Sequence, residues 1–266
     1  MQGSLKTLVS LILVLCCLCA GCAASEEKSD EDLLSFYENS VFAGDSITGQ
    51  FKRYVTITRR ENPDFLKNVT IVSADSLSLQ TARVKNIHTA IQLTYKGRTM
   101  PLWQVVEKVQ PEKLFVLLGV NDYIGLDIPK GMRYIEDMVN LMQETNPTVQ
   151  VYFFSLTPVT KSFSGSRNLQ KHWDEYNVAL EEKCAELGVG FIDIATALKG
   201  PDGYVKKGYS SDGKFHLSTA GIECWIESMK DYVRSLPAEE EEELLELEED
   251  DGTAAEGGAT PLPQTD

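Results

Sequence analysis

The chain has 266 residues, 42% of them hydrophobic, which allows one sizeable core in a protein of ordinary globular composition. Its formal net charge of −15 is unevenly placed: no basic residue follows Arg234, while ten of the thirteen residues 239–251 are acidic. Between about residue 33 and residue 236 the charges nearly cancel, so no basic footprint for nucleic acid exists and that class of partner is set aside.

Residues 1–22 carry Lys6, an apolar run over 8–18 and then Cys19-Ala20-Gly21-Cys22, the form of a secretory signal. The run is shorter than the ~20 residues a membrane-spanning helix needs. The end of the segment resembles a bacterial lipobox, with Cys19 where leucine is usual. That resemblance implies acylation of Cys22 and a lipid-anchored protein on the bacterial cell surface; an ordinary cleaved signal is the alternative. Four of the six cysteines lie here, leaving Cys184 and Cys224. Export permits one bridge between them, but both sit in helix-like apolar patterns, where a free thiol is commoner.

Residues 23–37 read as a tether, with a short helix over 32–37 leading to the first strand, and residues 38–236 as one domain. The stretch Ser40-Val41-Phe42-Ala43-Gly44-Asp45-Ser46 predicts a short buried strand, a sharp exit at Gly44 and a helix starting near Ser46. Unpaired N–H groups at a helix start favour negative charge, as acyl transfer to a serine hydroxyl requires. Asp-Ser before a helix fits an ordinary N-cap equally well. Strands follow at 69–73, 113–119, 149–155 and 190–193, with a small hairpin over 91–100 as an edge insertion. Helices are predicted over 101–110, 130–144, 170–187 and 218–236. Alternating strands and helices of these lengths argue for a three-layer α/β/α domain with a five-stranded, mostly parallel sheet. The tail 237–266 reads as acidic and solvated.

In such a sheet the ligand site lies at the carboxyl ends of the strands. That rule selects Gly44-Asp45-Ser46, Ala74-Asp75-Ser76, Gly119-Val120-Asn121-Asp122 and Leu156-Thr157-Pro158. A serine nucleophile needs a base, and the chain has three histidines. His88 and His172 fit surface positions, whereas His216 sits just before the last helix with Asp212 close enough to orient its ring. Asn121 offers an amide to a developing oxyanion; a plain Asn-Asp turn is the alternative.

Gly44-Asp45-Ser46-Ile47, Gly119-Val120-Asn121-Asp122 and the Asp212/His216 pair together resemble the blocks of the GDSL, or SGNH, hydrolase family, over about residues 38–236. The resemblance implies a flavodoxin-like fold and a serine esterase in which Ser46 attacks, His216 acts as base and Asp212 orients it. The oxyanion would be held by the Ser46 N–H, Asn121 and the Ser76 N–H. Two departures stand out. Asp212 precedes His216 by four residues where the family usually has three, and the region of Ser76 lacks the family's second-block glycine. The missing glycine motivates the other reading, a surface binding lipoprotein with the fold but little turnover. No metal cluster or phosphate loop is visible, so no cofactor is expected. The family implies small acyl esters or acetylated glycans as substrates. Tyr123, Phe163, Tyr204 and Tyr209 are the aromatic loop residues placed to shape a pocket.

Overall fold

The computed structural model describes residues 28–86, 88, 91–122 and 127–237. The signal segment with Cys22, the acidic tail and Tyr123 lie outside them. The chain enters through α1 (Asp30–Ser35), where Ser29 and Asp32 form a reciprocal capping box. Leu33 and Tyr37 are fully buried, and the Tyr37 hydroxyl donates to the Met229 carbonyl at 2.8 Å. Residues 30–37, expected as the end of a tether, are therefore part of the packed domain. Leu33 and Tyr37, four residues apart, both join the hydrophobic core, and that burial holds the segment against the domain.

Strand β1 (Ser40–Gly44), helix α2 (Ser46–Thr58) and strand β2 (Thr70–Ser73) follow, then the single turn α3 (Leu79–Ala82). The hairpin β3 (Leu93–Tyr95) and β4 (Arg98–Met100) pairs antiparallel as a separate two-stranded sheet beside β2. Next come α4 (Leu102–Val109), β5 (Lys113–Leu117), α5 (Ile128–Thr145) and β6 (Gln150–Phe154). The remaining elements are α6 (Lys161–Ser164), α7 (Leu169–Leu187), β7 (Gly190–Ile192), α8 (Ala195–Leu198) and α9 (Thr219–Ser235).

The main sheet has the order β2-β1-β5-β6-β7, and every pair in it is parallel. The reversal of strand order falls between β1 and β5, which is where a doubly wound sheet opens its ligand crevice. All residues of β1 and β5 are buried, as central parallel strands covered on both faces should be. On one face Phe42, Phe115 and Phe154 pack with Tyr37, with Phe51 of α2 and with Trp225 of α9, neighbouring ring centroids lying 4.7–6.0 Å apart. On the other, α4, α5 and α7 pack side by side. Cys184 and Cys224 are both free thiols.

Candidate active site

The exit from β1 is set by a close approach. A Cβ at Gly44 would collide with the Thr48 side chain and lie 2.6 Å from the Leu117 carbonyl oxygen, so only glycine lets the chain turn here. Asp45 then caps α2, its Oδ1 accepting the Ile47 N–H at 2.9 Å. The cap suggested by the sequence is thus real, but Asp45 supplies it, and Ser46 as the first helical residue keeps its hydroxyl free.

That hydroxyl lies 2.9 Å from His216 Nε2, across 170 residues of chain. On the other side of the ring, His216 Nδ1 is 2.7 Å from Asp212 Oδ2. The extra residue between acid and histidine is absorbed by a turn. Asp212 Oδ1 accepts the backbone N–H groups of Lys214 and His216, and Gly213 takes the left-handed conformation at φ +70°. Burial raises the Asp212 pKa, and hydrogen bonds from the His216 ring and the Lys214 N–H outweigh it, so the carboxyl sits below its usual value. An acid that stays ionised can hold the imidazole in one tautomer and stabilise the imidazolium formed when Nε2 accepts a proton. The Phe215 ring lies 4.5 Å from the His216 ring and packs in turn on Phe163 at 5.4 Å.

The loop after β2 brings Ser76 to this end of the sheet. Ser76 has φ +62°, the conformation that glycine adopts freely. The serine therefore keeps the backbone shape of the missing glycine, at a cost of roughly 1–2 kcal/mol. Its N–H and that of Ser46 donate to no acceptor among the described residues. With Ser76 in that shape, the missing glycine is no longer a reason to read the site as a binding surface.

Asn121 lies in the 3₁₀ turn after β5. Its amide donates to Asp45 Oδ2 at 3.0 Å and to the Leu77 carbonyl at 3.0 Å. The structure brings Asn121 to the site as expected, but with both N–H groups engaged rather than free for an oxyanion. Asp122, which the sequence reading gave no role, is buried and accepts the Leu79 and Gln80 N–H groups at 2.8 and 3.2 Å. Together Asn121 and Asp122 fasten the loop of Ser76 to the central strand. An acidic residue five places past the end of a buried strand is the only sequence signal for this, and it is a weak one.

Gln50, one turn after Ser46, was also missed. Its Oε1 accepts the Leu217 N–H at 2.9 Å and its Nε2 donates to Ser211 Oγ at 3.2 Å, clamping both ends of the loop that carries Asp212 and His216. His88 is exposed, as expected. His172 is not a plain surface residue: it is half-buried and lines a cavity of about 10 Å³ with Gly119, Asp122 and Tyr176. Tyr204 and Tyr209 are half-buried, with Lys161 and Lys206 lying over their rings at 5.8 and 5.4 Å. Among the described residues no group of three or more His, Cys, Asp or Glu is gathered to hold a metal ion.

A five-stranded parallel sheet with this serine, histidine and aspartate group at its carboxyl edge has the fold of the GDSL/SGNH hydrolases. Residues 42–223 match the GDSL-like lipase/acylhydrolase family, and the chain belongs to it. It is accordingly a carboxylic ester hydrolase. A GDSL-like lipase from Bacteroides thetaiotaomicron superposes with a TM-score of 0.55 at 14% identity, covering 75% of this chain and 89% of that one. An acetyl-xylooligosaccharide esterase from Geobacillus superposes with a TM-score of 0.54 at 14% identity, covering 76% and 95%. A member of the lipolytic G-D-S-L family from Veillonella parvula gives 0.52 at 19% identity, covering 74% and 98%. At such identities the likeness is one of fold. No curated protein sequence matches the chain.

Proposed function

We propose that the chain is an extracytoplasmic serine esterase that removes small acyl groups, O-acetyl esters of glycans among them, and is anchored to the membrane through a lipid on Cys22. The observation that carries the catalytic part is the unbroken hydrogen-bonded series Ser46–His216–Asp212, with contacts of 2.9 and 2.7 Å. Ser46 Oγ attacks the ester carbonyl while Nε2 of His216 takes its proton, and the imidazolium is stabilised by Asp212. The tetrahedral oxyanion is held by the Ser46 and Ser76 N–H groups and by an Asn121 N–H drawn from its present acceptors. The imidazolium returns its proton to the departing alcohol, and water activated by the same histidine releases the acid and restores Ser46.

The preference for a small acyl group is supported by fold neighbours that include an acetyl xylan esterase and an acetyl-xylooligosaccharide esterase. The signal-like residues 1–22 support export. The test is hydrolysis of p-nitrophenyl esters of increasing chain length by the protein starting at residue 23. Acetate should be cleaved fastest, and Ser46→Ala should lower kcat/KM by about 10³-fold or more. Absence of hydrolysis, or activity indifferent to Ser46→Ala, defeats the proposal. Radiolabelled palmitate incorporated by the full chain and lost in Cys22→Ala checks the anchor.

A further inference from the structure

The turn that carries Asp212 and His216 is held from the side of α7 as well as from α2. The chain leaving β6 is fixed first. Asn177 of α7 accepts the Leu156 N–H at 2.8 Å and donates to the Leu156 carbonyl at 3.0 Å, and Gln170 Oε1 accepts the N–H of the fully buried Val159 at 2.8 Å. The next residue, Thr160, reaches the catalytic turn twice. Its N–H donates to the Lys214 carbonyl at 2.7 Å and its hydroxyl to the Gly213 carbonyl at 2.7 Å. The same hydroxyl oxygen accepts the Phe163 N–H at 3.2 Å as the cap of α6.

One peptide unit joins Thr160 to the acid. The Gly213 carbonyl and the Lys214 N–H are the two ends of a single planar amide. Its oxygen accepts the Thr160 hydroxyl and its N–H donates to Asp212 Oδ1 at 2.7 Å, while Oδ2 of that carboxyl meets His216 Nδ1 at 2.7 Å. A donor on the oxygen polarises the amide and strengthens the bond its N–H makes, by roughly 10–30% in such chains. It also keeps the amide from turning over. Gly213 has φ +70°, and a Cβ there would meet nothing within 4 Å, so packing at Gly213 does not resist that rotation. The bond from the Thr160 N–H holds the following amide and leaves this one free. Gln50 fixes where the turn stands, by its two ends; the Thr160 hydroxyl fixes which way one amide within it faces. We infer that Thr160 is a positioning residue for catalysis, its hydroxyl holding the amide between Gly213 and Lys214 so that the Lys214 N–H stays on the Asp212 carboxylate. Asp212 then remains ionised and aligned on Nδ1 through each proton transfer at His216. The inference rests on the esterase reading above, in which the charge of Asp212 matters to turnover.

Steady-state kinetics on p-nitrophenyl acetate with Thr160→Val, Thr160→Ser, Asp212→Asn and the double variant of Thr160→Val with Asp212→Asn tests this. Valine keeps the branched shape and removes the donor, so kcat should fall about tenfold at unchanged KM. Serine keeps the hydroxyl and should restore at least about half of the parental rate. In the double variant, valine should cost less than about twofold beyond Asp212→Asn, because a residue that acts through the acid has nothing to act on once the charge is gone. Amide hydrogen exchange at Lys214 should be faster in Thr160→Val and parental in Thr160→Ser, whatever the activity. Parental kcat in Thr160→Val beside an impaired Asp212→Asn overturns this proposal and leaves the esterase reading standing. Losses that multiply in the double variant, a serine variant no better than valine, or Lys214 exchange unchanged by valine do the same. Full activity in Asp212→Asn overturns it by a different route, through the acid it acts on.

Discussion

Asp45 and Asn121 are joined by a 3.0 Å hydrogen bond from the asparagine amide to Oδ2, while Oδ1 of the same carboxyl holds the Ile47 N–H. A single fully buried side chain thus ties the start of the helix that carries Ser46 to the loop after the central strand. Its position has an electrostatic cost. Burial pushes the Asp45 pKa up to about 7, against the lowering effect of the Ile47 N–H.

The first prediction concerns stability against pH. Because the folded pKa lies above the unfolded value, the contribution of Asp45 is fully present below about pH 4 and is lost as the pH rises through about 7. A shift of about three units corresponds to about 4 kcal/mol over that range. Asp45→Asn keeps the helix cap and cannot ionise, so its unfolding free energy should change less with pH by a few kcal/mol. Urea denaturation of both proteins at pH 4, 6 and 8 checks this, and parallel curves would refute it.

For Asp212 the expectation is kinetic. Asp212→Asn preserves the shape beside Nδ1 but removes the negative charge and offers a donor, favouring the wrong imidazole tautomer. Activity should fall by about 10²–10⁴-fold, mostly in kcat, with KM little changed. Steady-state kinetics on a short-chain ester decides it. A loss under fivefold would mean that Ser46 and His216 work as a pair without the acid.

Ser76 stores local strain that glycine would relieve. Ser76→Gly keeps the N–H and the left-handed φ of +62°. Unfolding should therefore become less favourable by about 1 kcal/mol, offset in part by the freedom glycine gains in the unfolded chain. Esterase activity should be retained. Ser76→Pro, which removes the N–H and fixes φ near −65°, should reduce kcat strongly. A Ser76→Gly protein that melts at a lower temperature than the parent would contradict the strain.

The parts of this molecule legible in the sequence are those where one local pattern decides the outcome. The runs at Val41 and Leu114 read as buried strands because covered parallel strands need apolar residues on both faces. Ser46 and His216 stand out because the chain has only three histidines and the strand ends leave few positions where a serine could meet one. What stayed hidden depends on contacts between distant segments. Nothing local marks Asp122 as the carboxyl that holds the Ser76 loop, or Tyr37 as the anchor of a segment that reads as a linker. The engagement of both Asn121 N–H groups likewise follows from where Asp45 and Leu77 lie in space.

Gln50 provides a last test, since its side-chain hydrogen bonds go to neither the Ser46 hydroxyl nor the His216 ring. Its side chain amide clamps Ser211 and Leu217, the two ends of the turn that presents Asp212 and His216. Gln50→Ala removes both bonds and leaves the Leu217 N–H without its acceptor, so stability should drop by about 1–2 kcal/mol. The turn then samples positions in which Nε2 is no longer 2.9 Å from Ser46 Oγ, and small displacements of a base cost much in rate. The kcat should fall about tenfold at unchanged KM, and Gln50→Glu, which keeps the acceptor for Leu217, should recover part of it. If Gln50→Ala turns over at the parental rate, the loop is positioned by its own turn alone.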